Sequence, residues 1–205
     1  GYSGNVNFTV IVGNEEDFEI ADIPPIEIII EKYLGYFKTE GFIEVAFYGG
    51  SFTAIDIETQ RSLLEIPFQY KKKGIINEIR LSTRPDAINE TILENLKKYS
   101  VDTIELGVQS LDIDVLQASE RGHDTSSVYY ASQLIKDNKF KLGLQMMIGL
   151  PHDNLEKSLH TCNEFIKLKP DCVRIYPTLV IRDTYLEKMY YDGIYKPLDL
   201  NEAIE

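Results

Sequence analysis

Five segments of this chain alternate apolar and polar side chains with a period of two, and a stretch of helical character follows each; no other feature limits the fold as tightly. Ile43, Val45 and Phe47 alternate with Glu44, Ala46 and Tyr48, and Ile79 and Leu81 with Glu78, Arg80 and Ser82. Ile104, Leu106 and Val108 alternate with Glu105, Gly107 and Gln109, Leu142, Leu144 and Met146 with Gly143, Gln145 and Met147, and Val173 and Ile175 with Arg174 and Tyr176. Period two is the side-chain repeat of a strand. The pattern predicts strands over 43–48, 78–82, 103–108, 141–148 and 172–176, with helices over 56–70, 89–99, from Asp112, over 126–137 and 155–167, and a short one over 184–191. Before these, β-formers over 7–12 read as a first strand. After an acidic loop at 14–22, Pro24-Pro25 opens a helix expected over 26–38, with Ile26, Ile29, Ile30, Tyr33, Leu34 and Phe37 on one face.

Strands separated by helices make a parallel sheet with right-handed crossovers, either open or curled into a barrel. An open sheet covered on both faces needs nearly continuous apolar strands. These strands have only one apolar face. If that face meets the helices, the polar face lines an interior, which predicts a partial (β/α)6 TIM-like barrel of parallel strands. Eight units take about 250 residues, so a chain of 205 residues fits a partial barrel and one domain over 1–205. Within it, Glu44, Glu78 and Glu105 are expected to pair with Arg80 and Arg174, because an unpaired buried charge costs several kcal/mol.

Ligands in such sheets collect at the carboxyl ends of the strands. Those ends read Tyr48-Gly49-Gly50-Ser51, Ser82-Thr83-Arg84-Pro85-Asp86, Gly107-Val108-Gln109-Ser110, Gln145-Met146-Met147-Ile148-Gly149-Leu150-Pro151 and Tyr176-Pro177-Thr178, and Arg121-Gly122-His123 follows the helix after Gln109. Gly49 and Gly50 lead toward a helix start at which Thr53 and Asp56 have the spacing of an N-cap and its reciprocal partner. No lysine ends a strand as a Schiff-base enzyme requires, and no His-x-His offers a hydrolase metal. Amides, hydroxyls, a guanidinium and glycines remain, a set suited to holding a polar zwitterion.

The motifs at these strand ends resemble the radical S-adenosylmethionine (radical SAM) superfamily, in the branch of the Elongator catalytic subunit and the oxygen-independent coproporphyrinogen oxidases, from about Glu44 to Glu205. The resemblance implies an enzyme in which a [4Fe-4S] cluster gives one electron to SAM and the deoxyadenosyl radical takes hydrogen from a substrate. It implies SAM contacts from Tyr48, the Gly49-Gly50 backbone, Ser51, Ser82, Gln109, Arg121, Gln145 and Tyr176. Ser51 stands where many relatives have glutamate, and Ser82 and Gln145 stand where they often have acidic groups. A cluster needs thiolates, and the chain's two cysteines, Cys162 and Cys172, are not the closely spaced triplet of the family. The expectation is a fragment that begins beyond the cluster-binding loop, inactive alone, with the cluster and an electron donor belonging to the complete protein; no metal ligand is assigned.

Other readings remain open at this point. A non-catalytic barrel would bind a nucleotide-like metabolite or a partner protein, and a redox-independent enzyme would use Glu105, Asp86 or His123 as a perturbed acid or base. A net charge of −12 disfavours tRNA, although the Elongator likeness implies it, and Lys71-Lys72-Lys73 reads as a solvated helix end. No run approaches the ~20 apolar residues of a membrane span, and no signal peptide is visible, so a cytoplasmic protein without a membrane partner is expected.

Overall fold

The computed structural model describes residues 6–11 as backbone, and residues 26–36 and 41–204 in full. The acidic loop 14–22, Pro24-Pro25, Phe37 and Lys38 lie outside the described residues. Strands β1 (Val6–Ile11), β2 (Ile43–Tyr48), β3 (Glu78–Thr83), β4 (Thr103–Gln109), β5 (Lys141–Ile148) and β6 (Cys172–Pro177) form one parallel sheet in the order 1-2-3-4-5-6. Helices α1 (Ile26–Leu34), α2 (Ile57–Lys72), α3 (Glu90–Lys98), α4 (Ile113–Ala118), α5 (Thr125–Asp137) and α6 (Leu155–Leu168) fill the connections. Helices α7 (Tyr185–Tyr191) and α8 (Leu200–Ile204) follow β6, and α8 has no counterpart among the expected elements. None of the helices is long and apolar enough to cross a membrane, among the described residues.

Because the strand order never reverses, right-handed crossovers deliver every helix to the same face of the sheet. Val45, Phe47, Ile79, Leu81, Ile104, Leu106, Leu142 and Leu144 are essentially inaccessible on that face and pack with Leu64, Leu93, Leu96, Val128, Ile135 and Phe165 in one core. The other face is concave. Neighbouring strands lie about 4.8 Å apart, so β2 and β6, four places apart in the sheet, would be separated by about 19 Å if it were flat. Yet the Arg174 guanidinium on β6 donates to the Tyr48 hydroxyl on β2 and stacks 4.5 Å from its ring centroid. Only a curled sheet permits this contact, and the fold is a partial TIM-like barrel.

The structure corrects three local expectations. Asp56 alone caps α2, its carboxylate accepting from Glu58 N at 3.1 Å and Thr59 N at 2.9 Å. Thr53 instead is buried under the site, where its hydroxyl donates to Ala87 O at 2.7 Å and so accepts from Thr83 Oγ1 at 2.6 Å. The spacing signal was met by a tertiary bond rather than a cap. Glu78 pairs with Lys141 at the open bottom of the barrel rather than with an interior arginine. Finally, the apolar side chains of β6, Val173 and Ile175, are exposed at 46% and 55% because no described helix covers them.

Candidate functional site

The concave face is polar, and its charges are matched. Arg80 forms a fork on Glu44, Nε to Oε1 at 2.8 Å and Nη2 to Oε2 at 3.0 Å, and also donates to Glu105. Glu105 is fully buried and accepts in addition from Tyr48 OH at 2.9 Å, Arg174 Nε at 3.1 Å and Gln145 Nε2 at 2.8 Å. Two carboxylates face two guanidinia, so the buried group carries no net charge and avoids the penalty of an isolated ion. Burial alone would lower the Arg80 pKa, but its hydrogen bonds to Glu44 and Glu105 outweigh that and hold it above the usual arginine value. Burial first, and then the Glu105 charge, push the Tyr48 phenol well above its ordinary value against the opposing pull of Arg174.

Above this floor, the carboxyl ends of the strands open into a cleft of about 790 Å³. Tyr48, Gly49, Gly50, Ser51, Ser82, Gln109, Arg121, Gln145 and Tyr176 all line it, so the residues singled out in sequence meet in one place. Gly49 makes the turn after β2 at φ +101°, a region open to glycine and costly to other residues. Ser51 then starts a single 3-10 turn, Phe52–Ala54, without its hydroxyl capping it. Gln109 ends β4 at a register shift, in the left-handed region at φ +68°, and its buried Oε1 has no hydrogen-bond partner. A glutamine held in that conformation with a bare buried acceptor is strained twice, and such strain concentrates at binding sites.

Arg121 supplies the opposite character. Its guanidinium meets the weak acceptor Met147 Sδ at 3.1 Å and forms no ion pair among the described residues. Burial, with the nearby Arg84 charge second, lowers its pKa, the mark of a desolvated cation without a counter-ion. Such a group is ready for a carboxylate or phosphate. Arg84 also borders the cleft, but its fork is spent on Asp86 at 3.0 and 2.6 Å. His123 holds Val108 O at 3.2 Å through Nε2, and burial lowers its pKa. Since a carbonyl only accepts, Nε2 carries the proton, and the buried Nδ1 is a second acceptor without a partner.

Sequence reasoning passed over Ala54, Ser119 and Glu120 as cleft residues. Ser119 and Glu120 directly precede Arg121, and that adjacency was the available signal. Glu105, an acid or base candidate in sequence, is enclosed by four donors and has no free face for proton transfer. The chain does not fit an iron-sulfur cluster. Cys172 lies 3.3 Å from Arg80 Nη1 and Cys162 3.5 Å from Met146 Sδ, and no group of three His, Cys, Asp or Glu side chains could hold a metal among the described residues. It does fit a zwitterion with hydroxyls, which would use the bare acceptors, the guanidinium and the open Gly49-Gly50 backbone together.

Comparison with known proteins gives this geometry a context. A family profile described as Radical SAM superfamily matches residues 15–165, and one described as Radical SAM C-terminal domain matches 170–205. A tRNA uridine(34) acetyltransferase of Methanocaldococcus infernus is 33% identical over 186 residues, covering 80% of this chain and 34% of that protein. Human Elongator complex protein 3 is 35% identical over 130 residues, 62% of this chain and 24% of that protein. The solved archaeal Elp3 of Methanocaldococcus infernus, with its N-terminus deleted, superposes at TM-score 0.83 with 27% identity over 98% of this chain and 52% of that one. Coproporphyrinogen III oxidase from Escherichia coli shares the fold at TM-score 0.58 and 16% identity, over 78% of this chain and 37% of that one. The chain thus spans about a third of the curated acetyltransferase and about half of the solved Elp3.

Proposed function

The chain belongs to the radical SAM superfamily, and from that premise we propose that its cleft is the SAM cradle of a cytoplasmic, Elongator-like enzyme whose substrate is tRNA. One observation carries the reading: a carboxylate-free guanidinium, two bare acceptors and an open Gly-Gly backbone converge on a single cleft at the strand ends. SAM joins an amino acid to a nucleoside, and each part has its counterpart here. Arg121 takes the carboxylate, the Gly49-Gly50 carbonyls with Ser51 take the ammonium, and Gln109, Gln145 and Ser82 take the ribose. Tyr48 and Tyr176 close the walls, and Phe52 and Thr53 beneath the turn keep water from the core side. In this superfamily SAM, reduced through a [4Fe-4S] cluster, supplies hydrogen-abstraction chemistry. This sequence offers the cradle and not the cluster's thiolates. With a charge of −12, the surface opposes phosphate contact, so this chain alone should hold tRNA weakly.

Calorimetric titration with SAM tests the reading. Saturable one-to-one binding is expected, weakened at least about 10-fold by Arg121→Ala, the consequence of losing a charge-assisted bond of about 1.5–3 kcal/mol. Lys73→Ala, on the far helix end, should leave it unchanged. No saturable binding would refute the assignment, whereas a cluster assembling on this chain after anaerobic treatment with iron and sulfide would overturn only the statement that it lacks the cluster's thiolates.

A further inference from the structure

The hydrogen-bond polarity of the cleft floor is set from beneath it. Gln145, on β5 and 8% exposed, points its Nε2 at Glu105 Oε2, 2.8 Å away, and at Ser82 Oγ, 3.1 Å away. An amide nitrogen has two hydrogens, and both are used. As the carboxylate partner of Arg80 and Arg174, Glu105 can only accept, so a flipped amide would set oxygen against oxygen. The side chain therefore has one orientation. Its Oε1 is turned the other way and receives no hydrogen bond from a described residue. It lies 3.9 Å from where a Cβ on Gly107 would stand, and Gln109 Nε2 is 3.2 Å from the same point. The missing side chain of Gly107 is what leaves this acceptor open to the cleft.

We propose that Glu105, which the ligand cannot reach, is a positioning residue that acts through Gln145: it fixes an acceptor on the cleft floor that takes a ligand hydroxyl and turns away a carboxylate. This rests on the SAM reading and adds an orientation to it, with hydroxyls over Gly107 and the carboxylate at Arg121. The four donors around Glu105 come from β2, β3, β5 and β6, so the curl of the sheet itself holds the amide in place. Any change that frees Glu105 lets Gln145 rotate and present its NH₂ group instead.

The test compares SAM with two sets of analogues, one lacking the 2′- or 3′-hydroxyl and one lacking the carboxylate, by equilibrium titration of the wild type, Gln145→Met and Glu105→Gln. Wild type should bind SAM about 3- to 10-fold tighter than at least one deoxy analogue, the span of one neutral hydrogen bond. Gln145→Met should lose that preference. Glu105→Gln should lose it as well while still preferring SAM over the decarboxylated analogue, a selective effect that general loosening of the fold would not produce. Independently of any variant, the Gln145 side-chain amide protons in the wild type should exchange slowly with solvent. The proposal is overturned if Glu105→Gln keeps the hydroxyl preference, if it loses both preferences in parallel, or if the Gln145 amide exchanges at the free-solvent rate. If wild type fails to bind SAM, the function reading falls, and amide exchange still decides the orientation.

Discussion

Gly143→Ala is the smallest change that should strain the site, because Gly143 stands opposite Glu105 in the register of β4 and β5. A Cβ there would lie 2.4 Å from Glu105 Cγ, 3.2 Å from its Cβ and 3.1 Å from Cys172 Sγ. Carbon atoms pack at about 3.5–4.0 Å, so Glu105 must move by about 1 Å. It cannot do so freely, since Tyr48, Arg80, Gln145 and Arg174 all hold its carboxylate. Overpacking costs about 1–3 kcal/mol. Losing one charge-assisted bond adds about 1.5–3 kcal/mol. The sum is at least about 2.5 kcal/mol, and at about 2–4 °C per kcal/mol for a chain of this size the melting temperature should fall by about 5 °C or more. Gly41→Ala is the control, because an added Cβ there meets nothing within 4 Å, and its effect should stay within about 0.5 kcal/mol. Circular dichroism melts of both variants decide the matter. A fall of less than about 2 °C for Gly143→Ala would mean that the Glu105 network yields and that the cleft floor is not rigid.

Two further outcomes separate local from tertiary effects. Thr53→Val takes the hydroxyl donor from Ala87 O and the hydroxyl acceptor from Thr83 Oγ1 and should cost about 1–3 kcal/mol, whereas Asp56→Ala removes one cap and should cost about 1 kcal/mol; urea denaturation giving the reverse order would show that the buried Thr53 hydroxyl contributes less than the cap. His123 is held below its ordinary pKa, so the native state resists its protonation. Stability from its neutral form is present above the unfolded value of about 6.5 and is lost as pH falls from there toward the native value. Measured in urea at pH 7.5 and 5.5, wild type should lose more stability than His123→Gln. Equal losses would show that the ring is not held neutral by burial.

The alternation of strands and helices, the polar interior and the location of the site were legible because each is written in local periodicity. Side chains two apart on a strand share a face whatever lies around them, and glycines or amides at strand ends fall at the same rim. Partners across the barrel were not legible. Glu78 and Glu105 read alike in sequence, yet one ends on Lys141 at an exposed edge and the other under four donors at the centre, because curvature brings β2 within reach of β6. The spacing of Thr53 and Asp56 also fits a cap, and only the approach of Thr83 and Ala87 from the next strand and turn decides otherwise. What the sequence determined by itself is which face of each strand is polar and where a ligand can enter. Which of those polar atoms are left bare for a ligand, at Gln109, Gln145, Arg121 and His123, was decided by tertiary packing, since a hydrogen bond is satisfied or orphaned only by neighbours that the chain brings from afar.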